Sequence, residues 1–176
     1  MNVGAANPEN DGLYFAWGET EGYTDATARN TATGGTGGFD QTSYDAGSAA
    51  SISTDLTLSN DAARANMGGS WRMPTRTEFE ELINTNNTDK EWTTINGIGG
   101  YKFMKKSDHS VYAFFPASGL WASTMLLGHD SGGYYWSSTF YGGLSVYRLG
   151  FDSGKVNTGI YERFSGHSVR GVISNS

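Results

Sequence analysis

The sequence predicts one domain of the mixed α+β class, built from two helices, short antiparallel sheets and much irregular loop. Three observations lead to this prediction. The 176 residues, 37% of them hydrophobic, are enough for one core of substantial size. Helix signals are confined to residues 59–83, whereas short runs with strand character follow from residue 92 onward. The 25 glycines indicate many turns between these elements.

The N-terminal third combines one short strand with a long segment that lacks periodicity. Residues 11–19 read Asp-Gly-Leu-Tyr-Phe-Ala-Trp-Gly-Glu, which indicates an aromatic strand between glycines. Residues 21–57 are rich in Thr, Gly, Ser, Ala and Asp, and we expect a loop-rich, mostly irregular insertion there. The glycines of residues 34–38 are not followed by the Lys-Ser/Thr of a phosphate-binding loop, so no nucleotide site is predicted.

A short first helix is predicted at residues 61–66. Ser59 is placed to cap its start, because a hydroxyl oxygen can accept from the free backbone N–H groups of a first turn. The pair Gly68-Gly69 is expected to end it, since glycine readily adopts the left-handed conformation of a helix end.

A second helix is predicted to begin after Thr75. Thr75 and Glu78 have the spacing of a capping box, in which each side chain accepts from the other's backbone N–H. Phe79, Leu82 and Ile83 share one face, so the helix is amphipathic. We interpret its glutamates as a cap and as solvated charges near a helix start, not as a catalytic acid–base pair.

The second half of the chain is predicted to be mostly β. Asn96-Gly97 indicates a hairpin between the first two strands, and a polar turn at 105–108 separates the second from the third. We expect an apolar loop at 120–127. The three predicted strands cover residues 92–95, 100–104 and 110–115.

The last third, residues 132–170, combines a regular frame with a run of unlike residues. Tyr147, Leu149 and Phe151 alternate with other types at a period of two, which is typical of a strand with one buried face. A Ser153-Gly154 turn follows. From the pattern alone, an ordinary hairpin at the edge of a core remains an alternative.

We divide this region into inward frame residues and outward residues that form a candidate ligand-binding surface. The frame comprises Tyr135, Trp136, Ser137, Ser138, Tyr147, Leu149, Phe151, Ser153, Gly154, Val156, Arg163, Gly166, Ser168, Val169 and Arg170. The candidate ligand-binding residues are Phe140, Tyr141, Gly142, Gly143, Leu144, Arg148, Gly150, Asp152, Asn157, Thr158, Gly159, Tyr161, Phe164 and Ser165.

Composition excludes several classes of function. A net charge of −6 without a basic run argues against nucleic-acid binding. The absence of cysteine excludes disulfides, thiolate metal sites and cysteine nucleophiles. The three histidines lack metal-ligand spacing and no serine lies in a Gly-x-Ser-x-Gly elbow, so we expect no catalytic residue, metal or cofactor. No signal peptide or membrane-spanning run is present, and the opening Met-Asn-Val-Gly-Ala suggests a start within a longer protein.

Two further groups have both a structural and a functional interpretation. Arg72, Arg163 and Arg170 could bind anions, but each lies beside frame residues, which favours buried hydrogen-bonding roles. The run Tyr134-Tyr135-Trp136 could stack on a sugar. Core packing is favoured for Tyr135 and Trp136, because both belong to the frame.

Several motifs, in this order along the chain, resemble a paralogous domain family abundant in gut Bacteroidetes and Fibrobacter. The resemblance covers almost the whole chain apart from the insertion. The motifs are Asn2-Val3-Gly4-Ala5, Tyr14-Phe15-Ala16-Trp17-Gly18-Glu19, Asp61 to Asn66, Gly68 to Thr75 with Glu78-Phe79, Gly133 to Ser138, and Ser168-Val169-Arg170.

The resemblance implies a single C-type lectin-like domain over residues 1–176, in the branch related to formylglycine-generating enzymes. Some members of that family are variable proteins of diversity-generating retroelements, in which mutagenic reverse transcription rewrites adenines near the gene's end. Asparagine codons then become codons for many residues, but not for Lys, Glu, Gln, Met or Trp. Lys155 and Glu162 do not fit that restriction and are left out of the candidate set.

The function implied is non-enzymatic recognition of a receptor by a diversified surface, on a phage particle or a bacterial cell surface. The expected partner is a cell-surface protein or glycan, without nucleic acid and without insertion into a membrane. The lectin calcium motifs and the catalytic cysteines of the formylglycine-generating enzymes are both absent. An undiversified adhesion or glycan-binding module of the same fold is the main alternative, and a related enzyme is the least favoured.

Overall fold

The computed structural model describes residues 1–173, and both helices and strands occur throughout them. The α-helices are α1 (Ala26–Thr33), α2 (Gln41–Asp45), α3 (Ala62–Met67) and α4 (Arg76–Ile83), with 3-10 turns at Ser48–Ser51 and Leu58–Asn60. The strands are β1 (Tyr14–Phe15), β2 (Trp71–Arg72), β3 (Thr88–Ile95), β4 (Ile98–Lys105), β5 (Asp108–Pro116), β6 (Leu120–Ala122), β7 (Met125–Leu127), β8 (Gly132–Gly142), β9 (Ser145–Asp152), β10 (Lys155–Glu162), β11 (His167–Ser168) and β12 (Val172–Ile173).

The strands form several small sheets, which confirms the predicted mixed α+β class. A five-stranded sheet has the order β1-β11-β8-β9-β10, and a three-stranded sheet has the order β3-β4-β5. Two-stranded sheets pair β12 with β2 and β6 with β7. The prediction of purely antiparallel sheets is wrong at one pairing, because β11 runs parallel to β8 with Ser168 opposite Tyr135. The parallel pairing brings the end of the chain back beside its central strand.

The insertion at 21–57 was predicted to be mostly irregular, and more than half of it lies outside regular elements, but the prediction missed its helices. It contains α1 and α2, whose N-terminal caps are the side chains of Asp25 and Asp40. Each carboxylate accepts a hydrogen bond from a backbone N–H in the first turn. Arg29 of α1 is fully buried, forms an ion pair with Glu19 and donates to the Gly38 carbonyl at 3.0 Å. These long-range contacts fix a segment that has no apolar periodicity of its own.

The first predicted helix is present as α3, but its cap is Asp61, and the assignment of Ser59 was wrong. Asp61 Oδ1 accepts from the Arg64 N–H at 2.9 Å, while Oδ2 accepts from the Met73 N–H at 2.8 Å. A buried carboxylate that satisfies two segments is a stronger cap than an exposed serine. Gly68 ends the helix with φ +69°, as predicted.

The capping box of α4 is confirmed. The Thr75 hydroxyl accepts from the Glu78 N–H at 3.2 Å, and Glu78 Oε2 accepts from the Thr75 N–H at 2.8 Å. Glu78 also pairs with Arg72 at 2.6 Å, and this hydrogen-bonded guanidinium lowers the pKa of Glu78 more than burial raises it. The carboxylate therefore has a structural role.

The predicted strands at 92–95, 100–104 and 110–115 are confirmed as parts of β3, β4 and β5. The β3–β4 hairpin turns at Asn96-Gly97, both of which have positive φ. The expected apolar loop at 120–127 is instead the hairpin of β6 and β7, with Leu120 opposite Leu127. The alternation that marks a strand is hidden there, because both of its faces carry apolar residues.

The five-stranded sheet has core on both of its faces, whereas the sequence pattern predicted one buried face. On one face, Tyr135, Leu149 and Phe151 pack with Phe79 of α4 and Phe103 of β4. On the other face, Trp136 and Val146 pack with residues of the N-terminal segment and α3. Among residues 1–173, no helix is long and apolar enough to cross a membrane.

Candidate ligand-binding surface

The β9–β10 hairpin separates its residues cleanly between two faces. Its register pairs Asn157 with Gly150 and Gly159 with Arg148. Leu149, Phe151 and Val156 point to the opposite side and join the cluster next to α4, which we call the α4 face. The other side, which we call the arginine face, carries Arg148, Gly150, Asn157, Gly159 and Tyr161.

Arg148 is the central side chain of the arginine face. Its guanidinium carbon lies 4.9 Å from the ring centre of Tyr134 and 5.7 Å from that of Tyr161. A side chain at Gly150 would place its Cβ 1.6 Å from Arg148 Nη1 and would displace the guanidinium from this position. Burial lowers the pKa of Arg148, and the two tyrosines oppose this shift. The arginine therefore lies over two aromatic rings in a partly desolvated position.

His167 of β11 lies behind the same tyrosines and is fully buried. Its ring stacks on Trp136 with a centroid distance of 3.6 Å, and the Tyr161 ring centre is 5.1 Å away. Burial, and then the positive charge of Arg148, place the pKa of His167 well below its ordinary value, with the Ser165 carbonyl as a weaker opposing influence. Neither ring nitrogen has a hydrogen-bond partner of ordinary geometry. His167 is thus a neutral aromatic support.

The depressed pKa predicts a specific pH dependence of stability. The unfolded chain binds the His167 proton more readily than the folded chain, so stability is complete above the ordinary histidine pKa and falls as the pH drops through it. Between about pH 7 and about pH 5 this one group should therefore lower the free energy of unfolding. We expect His167→Phe, which keeps the stacked ring, to remove that loss in urea unfolding measurements at the two pH values.

His129 supplies the internal control for this measurement. Its Nε2 lies 2.7 Å from Asp11 Oδ2, and although burial lowers the pKa of His129, the Asp11 and Asp130 carboxylates raise it overall. Its contribution has the opposite sign, since it is present at low pH and is lost as the pH rises. The parent protein and the His167→Phe variant both contain His129, so the difference between their pH dependences of stability reports the contribution of His167. An equal pH slope in the two proteins would contradict the assignment.

Several residues of the predicted surface lie on another face, are buried or have structural roles, and these assignments need correction. Ser165 is 1% exposed, and its N–H donates to the Glu162 carbonyl at 3.1 Å, so it cannot contact a ligand. Thr158 belongs to the α4 face and lies 3.5 Å from Glu80 Oε1. Asp152 holds the hairpin turn by accepting from the N–H groups of Gly154 and Lys155. Gly150 is buried beneath the Arg148 guanidinium.

Phe140 and Phe164 were predicted as exposed anchors but pack against the core. The Phe140 ring centre is 5.9 Å from that of Trp17, and its backbone N–H donates to Asp55 Oδ1 at 2.8 Å. Phe164 contacts the aromatic cluster that includes Tyr14 and Phe39. Both rings hold the insertion against the sheet, because the insertion has few large apolar residues of its own.

The turn between β8 and β9 is the most exposed part of the predicted surface. Tyr141 is 57% exposed and Leu144 is 46% exposed. Gly142 and Gly143 lie between them, and Gly143 has φ +56°, a conformation that favours glycine. The Tyr141 ring lies 5.4 Å from Tyr147. The predicted set is therefore divided between the arginine face and this turn.

Two residues of the arginine face were missed at the level of sequence. Tyr134 was considered only as a possible sugar platform, and His167 only as a lone histidine. The register places Tyr134 opposite Gly150, on the same face as Arg148. The sequence contained this information, because neighbouring residues of a strand point to opposite faces. Tyr134 directly precedes the inward-facing Tyr135 and therefore lies on the other face.

An open cleft with a volume of about 900 Å³ lies elsewhere, over the insertion. Two of its carboxylates have structural partners, since Glu19 pairs with Arg29 and Asp40 caps α2. Within residues 1–173, no group of three His, Asp or Glu residues is arranged to hold a metal ion. In comparisons with protein-family models, curated proteins and solved structures, nothing matched this chain.

Proposed function

We propose that the chain is a non-enzymatic receptor-recognition domain with a C-type lectin-like fold, like the variable proteins of diversity-generating retroelements in phages or gut bacteria. Its ligand-binding surface comprises the arginine face and the β8–β9 turn. The ligand is a protein or glycan on a cell surface, met outside the cell by a phage particle or a bacterial surface protein.

The observation that carries this proposal is the arginine face itself. Unlike residues share one side of a hairpin whose other side is anchored by Leu149, Phe151 and Val156. Exposed side chains on such a hairpin can change without altering the backbone hydrogen bonds that define it. Tyrosine and arginine are also enriched at sites that dominate binding energy. The arrangement suits a binding surface on a fixed frame.

An undiversified adhesion or glycan-binding module is the second candidate, and one observation favours it. Phe140, Phe164 and Ser165 contribute to packing, so their replacement would cost stability. A diversified surface must therefore be narrower than the full predicted set. A near-copy of the gene's end beside a reverse transcriptase gene would establish diversification, and its absence from the complete source genome would favour the fixed module.

The binding surface is tested by replacing its exposed side chains together. We expect the combined variant Tyr141→Ala, Leu144→Ala, Arg148→Ala and Asn157→Ala to keep its fold but lose binding to cells. Each exposed substitution should change stability by within about 0.5 kcal/mol, with a somewhat larger cost at Arg148. Binding of the labelled protein to a panel of gut bacterial strains is measured by flow cytometry, and folding by thermal unfolding.

The matched control is a pair of exposed apolar residues on another sheet. Val111 and Tyr112 of β5 are 54% and 53% exposed, similar to Tyr141 and Leu144. Val111→Ala with Tyr112→Ala should leave cell binding unchanged. If the control loses binding while the four-residue variant keeps it, the recognition surface is the β5 edge and the proposal is wrong.

A further inference from the structure

We infer that the arginine face binds the carboxylate of an acidic side chain, Asp or Glu, on a protein partner, and that Arg148 is the residue that receives it. This inference rests on the proposed function, because it names the ligand chemistry of that same surface. It follows from the unpaired charge of Arg148, from the orientation of its guanidinium, and from the residues around it.

Arg148 lacks a counter-charge among residues 1–173. Three other arginines have carboxylate partners: Arg29 with Glu19, Arg72 with Glu78, and Arg76 with Glu80. Arg148 has no ion pair with any residue between 1 and 173, and its buried Nε has no hydrogen-bond partner. A partly desolvated cation without a counter-charge costs free energy, and the anionic group of a ligand would provide that counter-charge.

Two tyrosines restrict the orientation of the Arg148 guanidinium. The Arg148 guanidinium carbon lies over the rings of Tyr134 and Tyr161, 4.9 and 5.7 Å from their centres, and such cation–π contacts hold the side chain without consuming N–H donors. A planar guanidinium with free N–H groups matches a carboxylate through two parallel hydrogen bonds. Because the side chain is already ordered, binding loses less conformational entropy than it would with a mobile arginine.

The surroundings of the Arg148 guanidinium determine how a ligand can reach it. Gly159 has no side chain to fill the space beside Arg148 Nη2, from which a Cβ at this position would lie 4.0 Å away. Asn157, which is exposed, places its Oδ1 near the same space. His167 is neutral and adds no competing charge below the site.

The surroundings favour a protein partner over an acidic sugar. Tyr141 and Leu144 are exposed at the β8–β9 turn, and exposed apolar and aromatic residues on a surface that also carries an arginine are typical of protein interfaces. The chain has a net charge of −6, so an acidic partner is repelled over most of its surface and attracted at this position. One favourable charged contact would therefore fix the orientation in which an acidic partner binds.

The test uses a capped amino acid as the probe. N-acetyl-glutamate N-methylamide is titrated into the ¹⁵N-labelled protein, and the Arg148 Nε–Hε resonance is followed by NMR. We expect saturable shifts with a dissociation constant on the order of millimolar. The neutral isostere N-acetyl-glutamine N-methylamide should bind at least about tenfold more weakly, since it lacks the charge that strengthens the paired hydrogen bonds.

Two variants make the test specific to Arg148. Arg148→Lys keeps the charge but loses the planar pair of donors, so affinity for the glutamate probe, followed on backbone amides of β9 and β10, should fall about tenfold. Arg76→Lys is the matched control. Arg76 also stacks on a tyrosine, with its guanidinium carbon 4.2 Å from the Tyr147 ring centre, but it is paired with Glu80, and its replacement should not change probe binding.

Three outcomes would overturn the inference: equal binding of the two probes, unchanged binding by Arg148→Lys, or stronger binding of glucuronate than of the glutamate probe. The last would assign the site to an acidic sugar. These results are independent of the cell-binding experiment. If the four-residue variant loses cell binding while the glutamate probe fails, the ligand chemistry is wrong and the recognition surface stands.

Discussion

Replacement of Trp136 by alanine should lower the free energy of unfolding by about 3–5 kcal/mol, the cost of a large cavity in a packed core. The side chain is fully buried, and its Nε1–H donates to the Phe15 carbonyl at 2.7 Å. It also supports the His167 ring, which in turn lies behind Tyr134 and Tyr161. The variant therefore loses packing, one buried hydrogen bond and the support of the arginine face.

Urea unfolding followed by circular dichroism measures this effect. Trp136→Phe is the control, since it keeps an aromatic ring in contact with His167 and should recover a large part of the loss. If the Trp136→Ala variant unfolded like the parent and lost only ligand binding, Trp136 would belong to the binding site. The division between frame and surface residues would then be wrong.

The burial of Trp136 could be predicted because its signal is local. Tyr135, Trp136, Leu149 and Phe151 are large apolar residues in strands with clear turns between them, and all four are buried. The capping box of α4 and the Asn96-Gly97 hairpin were predicted for the same reason. In each case, residues close in sequence determine the geometry through their own hydrogen bonds or conformational preferences.

The insertion and the extent of the surface could not be predicted, because both depend on contacts between distant segments. The pattern Tyr147, Leu149, Phe151 indicated two faces correctly but not that both faces are partly covered. Ser165 and Phe164 look like free positions until the neighbouring segments are placed on them. Alternation gives the side of a strand on which a residue lies, and it contains no information on what packs there.

Arg163 shows how strongly those distant contacts hold the surface in place. It is 3% exposed and donates hydrogen bonds to the Tyr44 hydroxyl at 2.8 Å, the Ala49 carbonyl at 2.7 Å and the Ile52 carbonyl at 2.8 Å. Its own backbone N–H donates to the Leu144 carbonyl at 2.9 Å, at the exposed turn of the candidate surface. One residue thus joins the insertion to the β8–β9 turn.

Arg163→Met should therefore destabilise the domain by about 3–5 kcal/mol, because it removes hydrogen bonds to three partly or fully buried groups, of which the Ala49 carbonyl keeps another donor, the Ile52 N–H. Arg163→Lys should recover only part of this loss, since one ammonium group cannot reach three acceptors that a planar guanidinium spans. Chemical denaturation measures both variants. Trp17 fluorescence reports the local change, because the guanidinium carbon lies 5.0 Å from that ring. If Arg163→Met were as stable as the parent, the insertion would be held by its aromatic cluster alone and the β8–β9 turn would not depend on it.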